Sequence, residues 1–165
     1  MARSVTDGLV MNFLFYQAWT NKRVKRIVDI FGASWFSDKT ILELGSAHGD
    51  VGMEFLKLGA DVTFSDARSE HLDSIVHKLN EFDFRPKTEL INQNVPYDLG
   101  KKFDLVLHLG VLYHIENWKQ DLECALKHTN TMILESAVSP SPELKHPVYG
   151  PYKCKNPVLT QEGIE

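Results

Sequence analysis

The residues whose types and spacing are best suited to binding a ligand lie in and after a short apolar strand near residue 40. The run 40–44 contains a single acid, Glu43, and ends in a turn of small residues, 45–49. A helix-forming segment begins at Asp50, which is predicted to cap it. A turn of small residues at a helix N-terminus lets the backbone approach a ligand closely. The pattern therefore predicts a small-molecule site between this strand and this helix.

A second candidate residue lies about 20 residues further along the chain. The apolar run 62–64 ends in Ser65 and Asp66, followed by Ala67. An acid at the tip of the second strand of a nucleotide-binding unit can accept hydrogen bonds from both hydroxyls of a ribose. Asp66 and the adjacent Ala67 are therefore predicted to contact a nucleoside.

The spacing of the small residues indicates which nucleoside. A dinucleotide site needs G-x-G-x-x-G to hold a pyrophosphate, whereas this turn reads Glu43-x-Gly45-x-Ala47-x-Gly49 and contains no Lys or Arg. The pattern resembles the E-x-G-x-G-x-G motif of class I S-adenosylmethionine-dependent methyltransferases, with Ala47 at the middle glycine. The resemblance covers about residues 40–138. It implies S-adenosyl-L-methionine as cofactor and S-adenosyl-L-homocysteine as product.

The resemblance also implies roles for the turn. Gly45, Ser46, Ala47 and Gly49 would accommodate the methionine portion of the donor. Glu43 would order the turn and approach the amino group of the donor. The alternative for Glu43 is a buried acid bound to backbone amides.

Two later segments complete the expected site. By resemblance, Asn94 would meet the adenine amino group and Val95 would pack on the ring, with Asn92 as the alternative to Asn94. The segment 108–118 resembles a G-[VL]-L-Y-H segment found in part of the family. It would place Leu109 and Gly110 near the donor, and Tyr113 and His114 toward the acceptor.

His114 is the candidate general base, because an imidazole titrates near neutral pH. A structural histidine in the loop is an equally weighted alternative for His114. His108, within an apolar strand, is interpreted as structural. No metal site is predicted.

Hydrophobic periodicity predicts the elements that position these residues. Strands are expected at about 40–45, 61–66, 88–92, 103–109 and 131–136. Helices are expected at about 5–36, with a possible break at residues 21–23, and at about 50–59, 68–81 and 117–128. In the last of these helices, the residues expected to point inward are Trp118, Leu122, Ala125 and Leu126. Alternating strands and helices predict an α/β, Rossmann-like parallel sheet of about five strands, whose ligands bind at the carboxyl ends of the strands.

The long N-terminal helical region has two interpretations. It packs on the sheet, or its residues Phe13, Tyr16, Gln17 and Trp19 form a lid over a substrate pocket. The basic residues 22–26 are interpreted as a solvated helix face, with phosphate or nucleic-acid binding as the alternative.

The 165 residues predict a single domain with three parts: an N-terminal helical cap (1–38), a cofactor-binding core (39–138) and a proline-rich tail (139–165). The C-terminal strands of a complete methyltransferase sheet are not evident in the tail. The chain is then a fragment, or the strands are lost, or a partner, including a second copy, covers the exposed sheet edge.

Composition limits the partners. The net charge of −4 gives the whole molecule no attraction for nucleic acid, so a small-molecule acceptor is favoured. Two cysteines make no metal or disulfide pattern, no segment is expected to span a membrane, and a cytoplasmic location is expected.

Three functions follow, in order of preference. The first is methyl transfer from S-adenosylmethionine to an oxygen or nitrogen of an unidentified acceptor. The second is a subunit that binds S-adenosylmethionine or S-adenosylhomocysteine without catalysis, or that depends on a partner. The third, a nucleotide-dependent oxidoreductase, is disfavoured by the glycine spacing.

Overall fold

A computed structural model describes the backbone of residues 5–82 and 84–137 and the side chains of residues 16–82 and 84–137. It also describes two short strands, Lys145–His146 (β6) and Gly150–Pro151 (β7). The predicted lid residue Phe13 lies outside the described side chains, as does most of the proline-rich tail.

Five strands form one sheet. They are β1 (Thr40–Leu44), β2 (Asp61–Asp66), β3 (Thr88–Leu90), β4 (Leu105–Leu109) and β5 (Met132–Glu135). Their spatial order is β3-β2-β1-β4-β5, and every neighbouring pair is parallel. The predicted five-stranded, Rossmann-like parallel sheet is confirmed, with strands slightly shorter than expected.

Four helices accompany the sheet: α1 (Val5–Phe31), α2 (Asp50–Lys57), α3 (Ser69–Glu81) and α4 (Trp118–Lys127). Short 3-10 turns cover Ala33–Phe36 and Leu112–His114. The possible break at residues 21–23 is absent, since α1 is continuous through them. The helix ends before Gly32, whose φ of 83° favours glycine.

Both faces of the sheet carry a hydrophobic core, because β-strand side chains alternate between the faces. On β1, Ile41 joins the core shared with α1, α2 and α3, whereas Leu42 and Leu44 join the core on the α4 side. Glu43 therefore points to the same face as Ile41. It lies below α2, at the end of the strand where the ligand site is expected.

The buried face of α4 differs from the prediction. Leu126, expected to point inward, is exposed, whereas Asp121, Cys124 and Ala125 are buried. The polar Asp121 occupies a core position because a buried histidine on β4 provides its partner. Hydrophobic periodicity cannot find such a position, since it scores the charged residue as outward.

The start of α2 also differs from the prediction. Gly49, with a φ of 73°, occupies the N-cap position, and Asp50 is the first helical residue. No side chain caps the helix. The Asp50 carboxylate pairs instead with Lys78, 3.0 Å away on α3.

Two features bear on the expectations for the tail and for membranes. β6 and β7 form an antiparallel pair that is separate from the main sheet. This pair was not predicted from the sequence.

Within the part of the chain that the structure describes, no helix combines the length and apolar character needed to cross a membrane.

Gly52 is the point of closest approach between α2 and the sheet. A Cβ atom there would lie 2.5 Å from both Glu43 Oε2 and Phe64 Cε1. We expect Gly52→Ala to lower the free energy of unfolding by about 1–3 kcal/mol through overpacking, although alanine favours helix by ~1 kcal/mol. Urea denaturation measures this. Lys57→Ala, at an exposed position of α2, is the control, and a Gly52→Ala variant as stable as the wild type would contradict the expectation.

Candidate functional site

A cleft of about 580 Å³ opens where the strands β1, β2 and β4 end. Eleven of the predicted site residues line it: Glu43, Gly45, Ser46, Ala47, Asp66, Ala67, Asn94, Leu109, Gly110, Tyr113 and His114. The parallel sheet brings them together because all these strands end at the same edge.

Two predicted residues do not line the cleft. Gly49 caps α2, and a Cβ atom there would lie 3.0 Å from Ile75 Cγ1 and 3.1 Å from Phe64 Cε1. Its smallness and positive φ therefore serve helix packing. Val95 is half exposed and lies outside the lining of the cleft.

The turn after β1 is held by its own amides. The Ser46 N–H donates to the Ser65 carbonyl (2.8 Å), and the Gly49 N–H donates to the Ser46 carbonyl (2.8 Å). Gly45 has a φ of 65°, and a Cβ atom there would lie 2.6 Å from Val111 Cγ2. Glycine is therefore required at this position by both conformation and space.

Ala47 stands where the family motif has its middle glycine. It adopts a φ of 48°, in the left-handed region that costs most residues energy. Its N–H donates to Asp66 Oδ2 at 2.9 Å. This hydrogen bond joins the turn after β1 directly to the end of β2.

Asp66 accepts hydrogen bonds at both carboxylate oxygens. Oδ1 accepts from the Arg68 N–H (3.0 Å) and from Arg68 Nε (3.2 Å), while His71 Nδ1 lies 3.3 Å from Oδ2. Burial raises the pKa of Asp66, but the donors of Arg68, His71 and Ala47 outweigh it and lower the pKa overall. The group is a carboxylate at neutral pH.

Glu43 is the opposite case. It is 5% exposed, and its Oε2 accepts one hydrogen bond, from the Gly52 N–H at 3.1 Å. Burial raises the pKa of Glu43 to about 8, and the nearby Asp50 adds to the rise, while the Gly52 N–H opposes it. At neutral pH Glu43 is therefore mostly protonated and uncharged.

Asn94 connects two loops at the edge of the cleft. Its Oδ1 accepts from the Glu116 N–H (2.8 Å), and its backbone carbonyl accepts from Asn117 Nδ2 (3.0 Å). The Asn92 Oδ1 accepts from the Asn94 N–H (3.1 Å). Both asparagines line the cleft, so the choice between them for adenine binding stays a prediction.

Tyr113 and His114 lie side by side in the loop after β4, with ring centroids 4.2 Å apart. Both make further interactions. Burial lowers the pKa of His114, and the positive charge of Arg68 lowers it further. A neutral imidazole at physiological pH can accept a proton.

Helix α1 covers one side of the cleft. Tyr16, Trp19 and Arg23 line the cleft, and Gln17 lines a neighbouring pocket. Arg23 makes a bidentate pair with Glu135 at the end of β5 (2.6 and 2.7 Å) and lies over the Trp19 ring. Arg23 is thus an anchor of the cover and not part of a solvated basic face.

A buried polar network supports the floor of the cleft. His108 Nε2 lies 2.6 Å from Asp121 Oδ2, and both side chains are fully buried. Gln93 Nε2 and the Tyr97 hydroxyl donate to Asp121 Oδ1 at 3.1 Å each. The network joins β4, α4 and the segment after β3, and Gln93 also lines the cleft.

Five residues of the site and its supporting network are not predicted from the sequence: Arg23, Arg68, His71, Gln93 and Asp121. Arg68 and His71 follow Asp66 within five residues, so their proximity was a usable signal. The partners of Arg23 and Asp121 lie on distant elements, and no local pattern identifies them.

The described residues contain no group of three or more His, Cys, Asp and Glu side chains placed to hold a metal ion.

A protein-family comparison identifies the fold's relatives. The model of a family described as "methyltransferase domain" matches residues 42–132, more than half of the chain. The chain belongs to the methyltransferase domain family. The resemblance seen in the turn after β1 is thereby confirmed. No curated protein sequence matches this methyltransferase domain significantly.

Solved structures show the same fold. The N-terminal domain of EvdMO1 with SAH bound is similar at a TM-score of 0.64 and 19% identity, over 79% of this chain and 55% of that chain. Magnesium protoporphyrin IX methyltransferase (ChlM) from Synechocystis PCC 6803 with bound SAH has a TM-score of 0.58 and 19% identity, over 70% of this chain and 52% of that chain. TehB from Haemophilus influenzae has a TM-score of 0.57 and 18% identity, over 66% of this chain and 37% of that chain. This chain spans about half or less of the length of these three solved chains.

The His108–Asp121 pair generates a prediction on stability. Asp121→Asn removes the negative charge from three donors and presents an N–H₂ group to them. We expect a loss of about 3 kcal/mol in the free energy of unfolding, the magnitude typical of a broken buried pair. Glu123→Gln, at an exposed position on the same helix, is the control and should leave stability nearly unchanged. Equal stability of the two variants in urea would show that the pair contributes little.

Proposed function

We propose that this chain binds S-adenosylmethionine in the cleft and transfers its methyl group to an oxygen or nitrogen atom of an acceptor. The observation that carries the proposal is the ionised Asp66 beside the small-residue turn. Its carboxylate accepts the Ala47 N–H at 2.9 Å, at the end of β2. A ribose diol bound to this acid would lie next to the turn that receives the methionine portion.

The remaining residues fit the same ligand. Ser46 Oγ is buried without a hydrogen-bond partner and lines the cleft, so it offers a polar contact to the amino-acid end of the donor. The turn contains no cation, and the amides of Ser46, Ala47 and Gly49 are already used. A pyrophosphate placed on this turn would find neither a Lys or Arg of the turn nor a free amide among these three, which disfavours a dinucleotide.

Methyl transfer from a sulfonium requires no activation of the leaving group by the protein. S-adenosylmethionine supplies a methyl group that is activated by its positive sulfur. The chain has to hold the acceptor in line with that methyl group and to exclude water, and such positioning accounts for most of the rate enhancement. In this proposal His114 accepts the proton of the hydroxyl or amine, a role that its lowered pKa supports because it keeps the imidazole neutral.

The acceptor is proposed to be a small molecule. The cover over the acceptor side is made of Tyr16, Trp19 and Tyr113, a surface suited to a compact ring system. The similar solved structures differ in what their names say they act on or bind, so the shared sheet does not dictate the acceptor.

The first test is the affinity for S-adenosylhomocysteine by titration calorimetry. Asp66→Asn should weaken binding about 10- to 100-fold, because a hydrogen bond to a charged group contributes about 1.5–3 kcal/mol. Asp73→Asn carries the same charge change at an exposed position of α3 and should bind as the wild type does. Folded wild-type protein that binds no S-adenosylhomocysteine would refute the proposal.

The second test uses the raised pKa of Glu43. At pH 7 Glu43 holds a proton, and an ammonium group of the ligand placed beside it would lower its pKa and release that proton. We expect binding to release up to about one proton at pH 7 and to tighten as the pH rises toward 8. Calorimetry in buffers of different ionisation enthalpy measures the release.

Glu43→Gln should abolish both the proton release and the pH dependence attributed to this group. Glu123→Gln, on the exposed face of α4, is the control. The same proton count in Glu43→Gln and the wild type would show that the amino group of the ligand does not meet Glu43.

A further inference from the structure

Arg68 follows the end of β2 by two residues and contacts its last residue, Asp66. It precedes α3, its side chain is 58% exposed, and it lines the cleft. Its Nε and its backbone N–H both lie on one oxygen of the Asp66 carboxylate, Oδ1, at 3.2 and 3.0 Å. The Arg68 side chain is therefore hydrogen-bonded to the carboxylate that is proposed to bind the ribose.

The Asp66 carboxylate has room for one ribose hydroxyl but not for two. A carboxylate offers about four lone-pair positions. The Ala47 N–H takes one on Oδ2, and the two donors of Arg68 take both on Oδ1, whereas His71 Nδ1 lies 3.3 Å from Oδ2 without a hydrogen bond. The backbone amides are fixed by the chain, so the exposed guanidinium is the donor that the second ribose hydroxyl displaces.

A displaced Arg68 finds no acid in the described lining of the cleft. Glu43 is buried and uncharged at neutral pH, and Asp50 is paired with Lys78. The other guanidinium of the cleft, on Arg23, already holds Glu135. Binding of the ribose therefore leaves one uncompensated positive charge facing the acceptor side, near enough to His114 to affect its charge state.

We propose that Arg68 is a specificity residue with two positions, one on Asp66, as the structure shows it, and one on an anionic group of the methyl acceptor once the ribose is bound. The inference rests on the proposed function and names its substrate class, an acceptor bearing a carboxylate or a phosphate. The donor binds first, because its sugar releases the cation that recognises the acceptor.

The first experiment measures 5′-methylthioadenosine binding to Arg68→Met by calorimetry. This nucleoside has the ribose but no carboxylate, and methionine keeps the apolar stem of Arg68 without its charge or donors. Because the competing exposed ion pair is removed, the variant should bind about two- to fivefold more tightly than the wild type. Arg26→Met, at an exposed position of α1, is the matched control and should leave the affinity unchanged.

The second experiment repeats the titrations with inorganic phosphate or acetate at constant ionic strength. Either anion should tighten binding of 5′-methylthioadenosine and of S-adenosylhomocysteine to the wild type and to Arg26→Met, but not to Arg68→Met. A larger effect of phosphate indicates a phosphorylated acceptor, and a larger effect of acetate indicates a carboxylate. An anion effect with 5′-methylthioadenosine but not with S-adenosylhomocysteine would assign Arg68 to the carboxylate of the donor and overturn the proposal.

Two further outcomes distinguish a failure of the role proposed for Arg68 from a failure of the proposed function. Weaker or unchanged nucleoside binding by Arg68→Met, with normal binding by the wild type, overturns the role of Arg68 and leaves the proposed function standing. Absence of nucleoside binding by the folded wild type overturns both.

Discussion

The site depends on one hydrogen bond, from the Ala47 amide to the Asp66 carboxylate. It joins the turn after β1 to the end of β2 and thereby fixes these two segments of the cleft relative to each other. The donor of the bond, Ala47, is itself a left-handed residue, with a φ of 48°. Backbone strain at this point is thus combined with a charge-assisted bond that holds the strained conformation.

Two acids at neighbouring strand ends differ in their protonation state at neutral pH. Asp66 is ionised because backbone and side-chain donors converge on it, whereas Glu43 is neutral because burial leaves it a single donor, the Gly52 amide. Of these two acids, only Asp66 carries a negative charge into the cleft, and Arg68 pairs with it. Divergent environments of similar groups are common at functional sites, and here they give neighbouring parts of one cleft different charge.

The sequence predicted what depends on local pattern. The turn at residues 45–49, the acid at position 66 and the five strands were all readable, because glycine spacing and hydrophobic periodicity are local signals. The partners of Arg23 and His108 were not readable, since Arg23 meets Glu135 across 112 residues of chain. The exposed Leu126 was misplaced for a related reason: the inward face of α4 contains the polar Asp121 beside Cys124 and Ala125, and a periodicity of apolar residues does not include it.

The uninterrupted α1 covers one side of the cleft. A helix of its 27 residues is about 40 Å long, and its second half is held by Ile27 in the core and by Arg23 on Glu135. Tyr16 and Trp19 of the same helix line the cleft, whereas Glu135 does not. The position of this side of the cleft therefore depends on an acid of the edge strand β5 that lies outside the cleft.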